Sequence, residues 1–355
     1  MRTMLVKRTS VAPRMRAAAL AAAALLAVAL LASCSCSAAR TEPDAQPQEE
    51  ASAQKAFDGA AVSDAPEPER PAPEPEYILI IGDDAWENYT PGHADLMMLM
   101  RLDFERGQIA LVTVPRDTKH VFADGHADKL NQVYTSSGPE AQCAAVSEVT
   151  GVEVTQYVVV GFDGFQNIIG HFGGLDVNLP YALDYSFYTK DHPNEVFAAG
   201  EQTLTPWRAM ALSRTRTSYG DYGLEQDMMR QTINRQMMVG LIRLAFSDPA
   251  QTGALLSALQ GFVSTNVPLE TQTAWAEELA SGTQITVHAT TGPFTGGIDD
   301  EAGGLWLVTP DEQGWASLMA AIEAGQDPSE AAAAYSAELE SPLAPVSTVA
   351  TVSLG

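Results

Sequence analysis

The segment "EYILIIGDD", residues 76–84, marks the beginning of a folded α/β domain. Its continuous apolar run from Tyr77 to Ile81 has the length of a buried β-strand and ends at Gly82. Three more apolar segments of strand length follow along the chain, at 108–115, 155–162 and 175–180. Because helical patterns separate them, we predict an α/β fold in which helices flank a mixed central sheet in three α-β-α layers.

The helical patterns are bounded by glycine, proline and polar residues. We predict helices at 138–151, 162–174, 200–213 and, with a basic face, 225–246. Further helices and one more strand follow up to about residue 325, whereas 326–355 has few turn signals and no core pattern. We therefore expect one domain over 77–325 and a flexible tail over 326–355.

The N-terminus predicts export from the cytoplasm. Five basic residues precede position 17, and a 16-residue apolar run extends from Ala17 to Ala32. The letters "LASC" at 31–34 resemble a bacterial lipoprotein signal, with the lipid on Cys34. The alternative is an uncleaved single-span anchor whose basic end stays in the cytoplasm. Under both interpretations, segment 1–36 attaches the protein to the membrane and the domain lies on the extracytoplasmic face.

The segment between this anchor and the domain has a composition that disfavours folding. Residues 37–76 contain ten acidic residues, three basic residues and seven prolines, so we predict a disordered, semi-extended linker. The whole chain carries a formal net charge of −25. This charge argues against nucleic acid as the main partner, because binding it requires a basic surface, but leaves room for a local basic site.

Two sets of carboxylates could hold a metal ion. Asp83 and Asp84 directly follow the first predicted strand, and Asp95 begins another apolar run. Strand ends in α/β folds commonly carry ligand-binding groups, and two carboxylates that meet there suit a hard cation such as Mg²⁺. The alternative is that these acidic residues only form turns.

Arginines are concentrated near the predicted long helix although the chain holds only 20 lysines and arginines. Arg214 and Arg216 would point to one side of an extended segment, and Asp227 and Arg230 share one helical face. Such guanidinium groups could bind an anionic ligand such as a diphosphate; alternatively, they pair with nearby carboxylates on a solvated surface.

Two more candidate phosphate ligands follow predicted strands or turns. Arg116 and Asp117 stand in "VPRDTKHV", and Lys129 stands in "DKLNQVY". A planar guanidinium and a compact ammonium group both bind phosphate, although an Arg-Asp neighbour pair is also common on protein surfaces.

Taken in order, these motifs resemble the LytR-CpsA-Psr family. The resemblance covers about 77–246 and rests on the blocks "ILIIGDD", "HADLMMLMRLD", "ALVTVPRDT", "DKLNQVY", "GFDGFQNIIGHFGGLDVNLP", "GEQTLTPWRAMALSRTR" and the Asp/Arg helix. Members of this family transfer phosphorylated glycopolymers from polyprenyl-diphosphate carriers to peptidoglycan outside the membrane. The resemblance thus implies a phosphotransferase whose partners are a polyprenyl-diphosphate-linked glycopolymer, the peptidoglycan acceptor and the membrane.

The resemblance also implies a role for each motif residue. Asp84 and Asp95 would hold Mg²⁺ on the diphosphate. Arg116 would bind the phosphates and support the chemistry, and Asp117 would orient Arg116. Apolar core residues would surround the lipid tail. The remaining phosphate ligands would be Lys129, Arg214, Arg216 and Arg230.

The chain departs from the family pattern at two places. It has His93-Ala94-Asp95 where members usually carry Arg-Ser-Asp, so His93 replaces a phosphate-binding guanidinium. The family's Asp-Phe-Gly-Arg motif can be aligned with 221–224, which ends in Leu224, or with 227–230, which ends in Arg230. We favour the second alignment because it restores the cation; it places Asn234 where a glutamine is usual.

Two other functions remain open at this point. A non-catalytic protein that binds polyprenyl phosphate or wall polymer would explain the loss of arginine at His93. A transcriptional attenuator is opposed by the secretion signal and by the acidic net charge.

Overall fold

The computed structural model describes residues 73–85, 92–179, 182–184, 196–215, 224–247, 262–336 and 347–354. The predictions for segment 1–36, for the linker up to residue 72 and for Arg216 lie outside these ranges. None of the helices in the described ranges combines the length and hydropathy needed to span a bilayer.

A seven-stranded mixed sheet forms the centre of the domain, in the strand order β11-β6-β1-β2-β3-β12-β15. Its strands are β1 (Glu76–Asp83), β2 (Ala94–Asp103), β3 (Gln108–Thr113), β6 (Gln156–Gly161), β11 (Val263–Thr265), β12 (Gln284–Thr291) and β15 (Ser347–Ser353). The pairs β1–β6 and β3–β12 are parallel, and the other four pairs are antiparallel.

In the part of the chain that the structure describes, four two-stranded sheets lie outside the central one. They pair β4 (Lys119–Val121) with β5 (Ala127–Lys129), β7 (Leu175–Leu179) with β10 (Gly200–Leu204), β8 (Leu183–Asp184) with β9 (Val196–Phe197), and β13 (Phe294–Asp299) with β14 (Leu305–Pro310).

Seven helices occur in the described ranges. They are α1 (Asn131–Thr150), α2 (Phe162–His171), α3 (Pro206–Arg214), α4 (Leu224–Ser247), α5 (Leu269–Ala280), α6 (Glu312–Glu323) and α7 (Ser329–Ser336). Successive residues of a strand point to opposite faces of the sheet. In β1 the run from Ile78 to Ile81 is at most 2% exposed, so both faces of the sheet are covered. The predicted mixed sheet flanked by helices is confirmed.

Some element bounds differ from the sequence prediction. Helix α1 begins at Asn131, before the predicted start, and its helical geometry is interrupted at Gly138, where φ is 84°. Residues 200–204 form β10 rather than helix because they pair with β7, and α3 begins after the N-cap Thr205. Strand β2 was not predicted as a strand.

The C-terminal residues also differ from the predicted flexible tail over 326–355. Helix α7 contacts the central sheet through β12 and β15, and β15 pairs with β12 along seven residues. The segment "STVATVS" is rich in β-branched residues, which suits it to an edge strand although it lacks an apolar run.

Candidate active site

A cavity with a polar mouth and an apolar wall opens at the edge of the sheet where β1 and β6 end and β2 begins. It contains about 850 Å³ of space, part of it open to solvent. The polar lining consists of Asp83, Asp84, Asp95, Ser213, Arg214, Arg230 and Asn234. The apolar lining includes Ile80, Ile81, Leu96, Val160, Phe162, Phe165, Ile168, Met237, Met238 and Leu241. One continuous space therefore joins charged groups to a surface suited to hydrocarbon.

Asp84 and Asp95 both line the mouth, and hydrogen bonds join the two ends of the β1–β2 connection that carries them. The backbone N–H groups of Asp84 and Asp95 both donate to the carbonyl of His93, at 3.2 and 2.9 Å. The His93 N–H donates to Asp84 Oδ1 at 2.6 Å, and the His93 ring Nδ1 lies 3.6 Å from the same oxygen. The histidine thus contacts the predicted metal-binding carboxylate.

Neighbouring groups fix Asp83 at the same loop. Its Oδ1 accepts the Ala85 N–H at 2.8 Å, and its Oδ2 accepts the hydroxyl of Tyr134, in the first turn of α1, at 2.8 Å. Burial, together with this hydrogen bond to a carboxylate, raises the pKa of Tyr134, so its hydroxyl stays a donor. Gly92 has no room for a side chain, since an added Cβ would lie 1.9 Å from Asp83 Oδ1.

Arg116, Asp117 and Lys129 continue the charged network away from the cavity mouth. Arg116 Nη1 donates to Asp95 Oδ1, and Arg116 Nε lies 3.6 Å from Asp117 Oδ1. The same Asp117 oxygen is 3.0 Å from Lys129 Nζ. Asp117 therefore lies beside Arg116, the residue it was predicted to orient, and also pairs with Lys129.

Arg230 enters the cavity from the second turn of α4. Its Nε and Nη2 lie 3.0 and 2.8 Å from Asp227 Oδ1, and its Nη1 donates to the backbone carbonyl of Asp95 at 3.1 Å. Burial alone would lower the pKa of Arg230, but the carboxylates of Asp227, Asp95 and Asp117 outweigh it and raise the pKa. On the same helix, burial lowers the pKa of Arg235 to about 9. The carboxylates thus keep Arg230 a buried cation.

Arg214 and Asn234 complete the mouth. Arg214 ends α3, and its Cζ lies 4.6 Å from the centre of the Phe162 ring, within cation–π range. Asn234 donates to the Ser213 carbonyl at 3.4 Å and so ties α4 to the end of α3. Both side chains face the cavity next to Arg230.

The structure brings together nine of the ten predicted site residues. Asp84, Asp95, Arg214, Arg230 and Asn234 line the cavity. His93, Arg116, Asp117 and Lys129 are linked to them by the contacts above; Arg216 lies outside the described residues. The position of Arg230 in the cavity supports the alignment that ends at Arg230. The sequence predicted no site role for Asp227, Tyr134 or Phe162. Of the three, only Asp227 could have been recognised from the sequence, because it precedes Arg230 by three residues on the same helical face.

The donor set at the mouth fits Mg²⁺. The described residues contain no cluster of three or more histidine, cysteine, aspartate and glutamate side chains that could hold a metal by themselves. Mg²⁺ does not require one, because it commonly binds one or two carboxylates together with substrate phosphates and water. Among the described contacts, only Oδ1 of Asp84 is engaged, so its second oxygen is suited to such a cation.

Comparison with known proteins identifies the family. A family model for LytR_cpsA_psr matches residues 35–321. Two curated relatives are named polyisoprenyl-teichoic acid–peptidoglycan teichoic acid transferase TagU. One, from Bacillus mycoides (strain KBAB4), is 32% identical over 199 residues. The other, from Bacillus anthracis (strain CDC 684 / NRRL 3495), is 33% identical over 199 residues. Each alignment covers 55% of this chain and 61% of the relative. The chain thus spans less than two thirds of the curated relatives it matches.

Solved structures show the same fold. Bacillus subtilis TagV has a TM-score of 0.56 at 22% identity, with 75% of this chain and 97% of that chain covered. A structure described as TagT bound to LIIa-WTA has a TM-score of 0.57 at 16% identity, with 70% and 90% covered. The family match spans most of the chain and includes every residue of the cavity. The chain therefore belongs to the LytR-CpsA-Psr family.

Proposed function

We propose that this protein is an extracytoplasmic phosphotransferase that moves a glycopolymer from a polyprenyl-diphosphate carrier to peptidoglycan. The observation that carries the proposal is the cavity itself, which places cations and carboxylates at one end and an apolar wall at the other. A polyprenyl diphosphate matches these two ends, because it joins two charged phosphates to a hydrocarbon tail. The teichoic acid transferase activity named for the TagU relatives agrees with this substrate class.

The reaction would replace one phosphate bond with another. An acceptor sugar hydroxyl attacks the phosphorus that bears the glycopolymer, the phosphoanhydride bond breaks, and polyprenyl monophosphate leaves with the bonding electron pair. Arg230 and Arg214 face the headgroup and neutralise charge on it, which is the main requirement of phosphoryl transfer. Arg116 supports the same end of the cavity through Asp95. Mg²⁺ held by Asp84 and Asp95 would add charge neutralisation on the phosphate oxygens.

Asp83 is the carboxylate best placed to accept the proton of the acceptor hydroxyl. It lines the cavity and its partners are a neutral amide and a hydroxyl, whereas Asp117 is 9% exposed and its partners are the cations Arg116 and Lys129, whose ion pairs a proton on Asp117 would weaken.

The membrane location belongs to the same proposal. A carrier with a polyprenyl tail resides in the bilayer, so the cavity must lie close to a membrane surface. The basic and apolar segment 1–36, as a lipoprotein signal with Cys34 or as a single-span anchor, would hold it there.

A non-catalytic binder of polyprenyl phosphate or wall polymer is the second candidate. The observation that favours it is His93, whose ring lies beside Asp84 where the family pattern has an arginine. A histidine there offers fewer donors to a phosphate than a guanidinium does.

One assay separates the two functions. The full-length chain in detergent micelles is incubated with an undecaprenyl-diphosphate-linked oligosaccharide, a peptidoglycan fragment and MgCl₂, and released undecaprenyl monophosphate is measured. An enzyme releases it, Arg116→Ala abolishes the release, and EDTA removes most of it. The matched control is Arg243→Ala, an exposed arginine that does not line the cavity. Binding of the lipid without any release in the unaltered chain would establish the binder instead.

A further inference from the structure

A chain of hydrogen bonds, buried where it reaches the sheet, connects the cavity cation Arg230 to the central sheet. Arg230 pairs with Asp227 Oδ1, and the other oxygen of Asp227 accepts Gln231 Nε2 at 2.7 Å. Gln231 Oε1 in turn accepts the hydroxyl of Thr291 at 2.8 Å. Gln231 and Thr291 are 2% and 1% exposed, so water does not compete for the bond between them, whereas Asp227 is partly exposed.

We propose that Gln231 and Thr291 are positioning residues, which act through Asp227 to fix the orientation in which Arg230 presents its guanidinium to the cavity. The proposal rests on the proposed function, because only a cavity that binds a diphosphate needs that orientation. Neither residue touches the cavity, so neither is a catalytic residue.

The donor count of Arg230 shows why orientation matters. A guanidinium has five N–H donors in one plane. Within the described residues, three of them have protein acceptors: Nε and one Nη2 donor face Asp227, and one Nη1 donor faces the Asp95 carbonyl. One donor on each Nη remains for a ligand. Rotation of the plane would move both of these donors away from a phosphate at the mouth.

Thr291 is held in the central sheet and can therefore fix the position of Gln231. It is the last residue of β12 and pairs with Thr113 at the end of the parallel strand β3, three residues before Arg116. The N–H of the next residue, Gly292, donates to the Thr113 carbonyl at 2.9 Å. The Gln231–Thr291 bond therefore sets the helix that carries Arg230 against the same sheet edge that carries Arg116.

The alternative is that this bond only adds stability, like any buried hydroxyl bond. Thr150 provides a matched control for that role. It is 2% exposed and donates within α1 to the Val146 carbonyl at 2.8 Å, and it does not line the cavity. Thr150→Val and Thr291→Val remove comparable buried hydroxyls, and Thr291→Ser keeps the hydroxyl at the proposed position.

The first measurement is the release of undecaprenyl monophosphate by the full-length chain. We expect Thr291→Val to lower kcat about 10- to 100-fold with a smaller change in KM, because small displacements of a positioned group cost rate. Thr291→Ser should restore most of the rate, and Thr150→Val should leave it unchanged. If Thr291→Val does not fold, Gln231→Met tests the same chain of bonds.

The second measurement does not depend on activity. The Nε–H signal of Arg230 in a ¹⁵N NMR spectrum, assigned from its loss in Arg230→Lys, should exchange with solvent severalfold faster in Thr291→Val but not in Thr291→Ser or Thr150→Val. If the unaltered chain releases no product, the proposed function fails while this exchange still tests the positioning. Equal behaviour of Thr291→Val and Thr150→Val in both measurements overturns the proposal, as does faster exchange with an unchanged kcat.

Discussion

The length of the cavity predicts how affinity depends on the lipid tail. Arg230 at the mouth and Leu241 on the apolar wall both belong to α4, eleven residues apart. At a rise of about 1.5 Å per residue, they are separated by about 16 Å along the helix axis. A prenyl tail attached to a diphosphate at Arg230 therefore extends toward Leu241, and replacing Leu241 with tryptophan fills the far end of its path.

The expected magnitude follows from the buried hydrocarbon. An isoprene unit of about five carbons is worth at most about 4 kcal/mol at about 0.8 kcal/mol per buried CH₂ group. That limit corresponds to about a thousandfold in Kd. In the unaltered chain, each added unit should tighten binding until the tail passes Leu241. In Leu241→Trp, geranyl diphosphate should bind with unchanged Kd. Farnesyl diphosphate should lose most of the extra affinity that it has over geranyl diphosphate in the unaltered chain.

Isothermal titration calorimetry of the full-length chain with geranyl, farnesyl and geranylgeranyl diphosphates measures these differences. Burial of the tail should also give a negative heat-capacity change that grows with its length. The control is Val349→Trp, which adds the same ring to a residue that is 47% exposed and does not line the cavity. Affinity that is independent of tail length, or a loss in Leu241→Trp that is equal for every tail, would refute the assignment of this wall to the lipid.

Three other perturbations test the site and its support. Tyr134→Phe removes the hydroxyl that donates to Asp83; release of undecaprenyl monophosphate should fall about tenfold, and an unchanged rate would contradict a role for this carboxylate. Asp227→Ala removes the carboxylate that is hydrogen-bonded to the buried Arg230 cation and should cost about 3 kcal/mol in urea unfolding, whereas Asp227→Ala with Arg230→Met should recover part of it. Burial lowers the pKa of His288, so the unfolded chain binds a proton at this residue more readily than the folded chain does. The free energy of unfolding should therefore fall as the pH drops through about 6.5. Urea midpoints measured across this pH range that fall equally in the unaltered chain and in His288→Gln would contradict this.

Strand β1, which leads to Asp83 and Asp84, was predictable because its burial leaves a direct trace in the sequence, whereas β2, which carries Asp95, was not predicted. A strand covered on both faces reads as a continuous apolar run, as β1 does from Tyr77 to Ile81. The presence of Asp84 and Asp95 in one cavity lining follows from two adjacent strand ends at the same end of the sheet. The Asp227–Arg230 pair follows from helical spacing alone.

The remaining contacts have no such local trace. Tyr134 is 51 residues from its partner Asp83, and Thr291 is 60 residues from Gln231. Spacing patterns report only neighbours along the chain, so contacts of this kind become visible only when the fold has brought the elements together. Residues 347–353 escaped prediction for a related reason: their strand conformation depends on pairing with β12.

The pairing of β15 with β12 has a practical consequence for protein production. A chain shortened after residue 325, where sequence patterns suggest the domain stops, would leave the backbone donors and acceptors of β12 open along one side of the main sheet. Strands of that kind recruit other chains, and the shortened protein should precipitate or form dimers through β12. Crystallisation and labelling therefore require a protein that keeps β15 through Leu354. Any affinity tag should follow a spacer, so that the tag does not displace β15 from its pairing with β12.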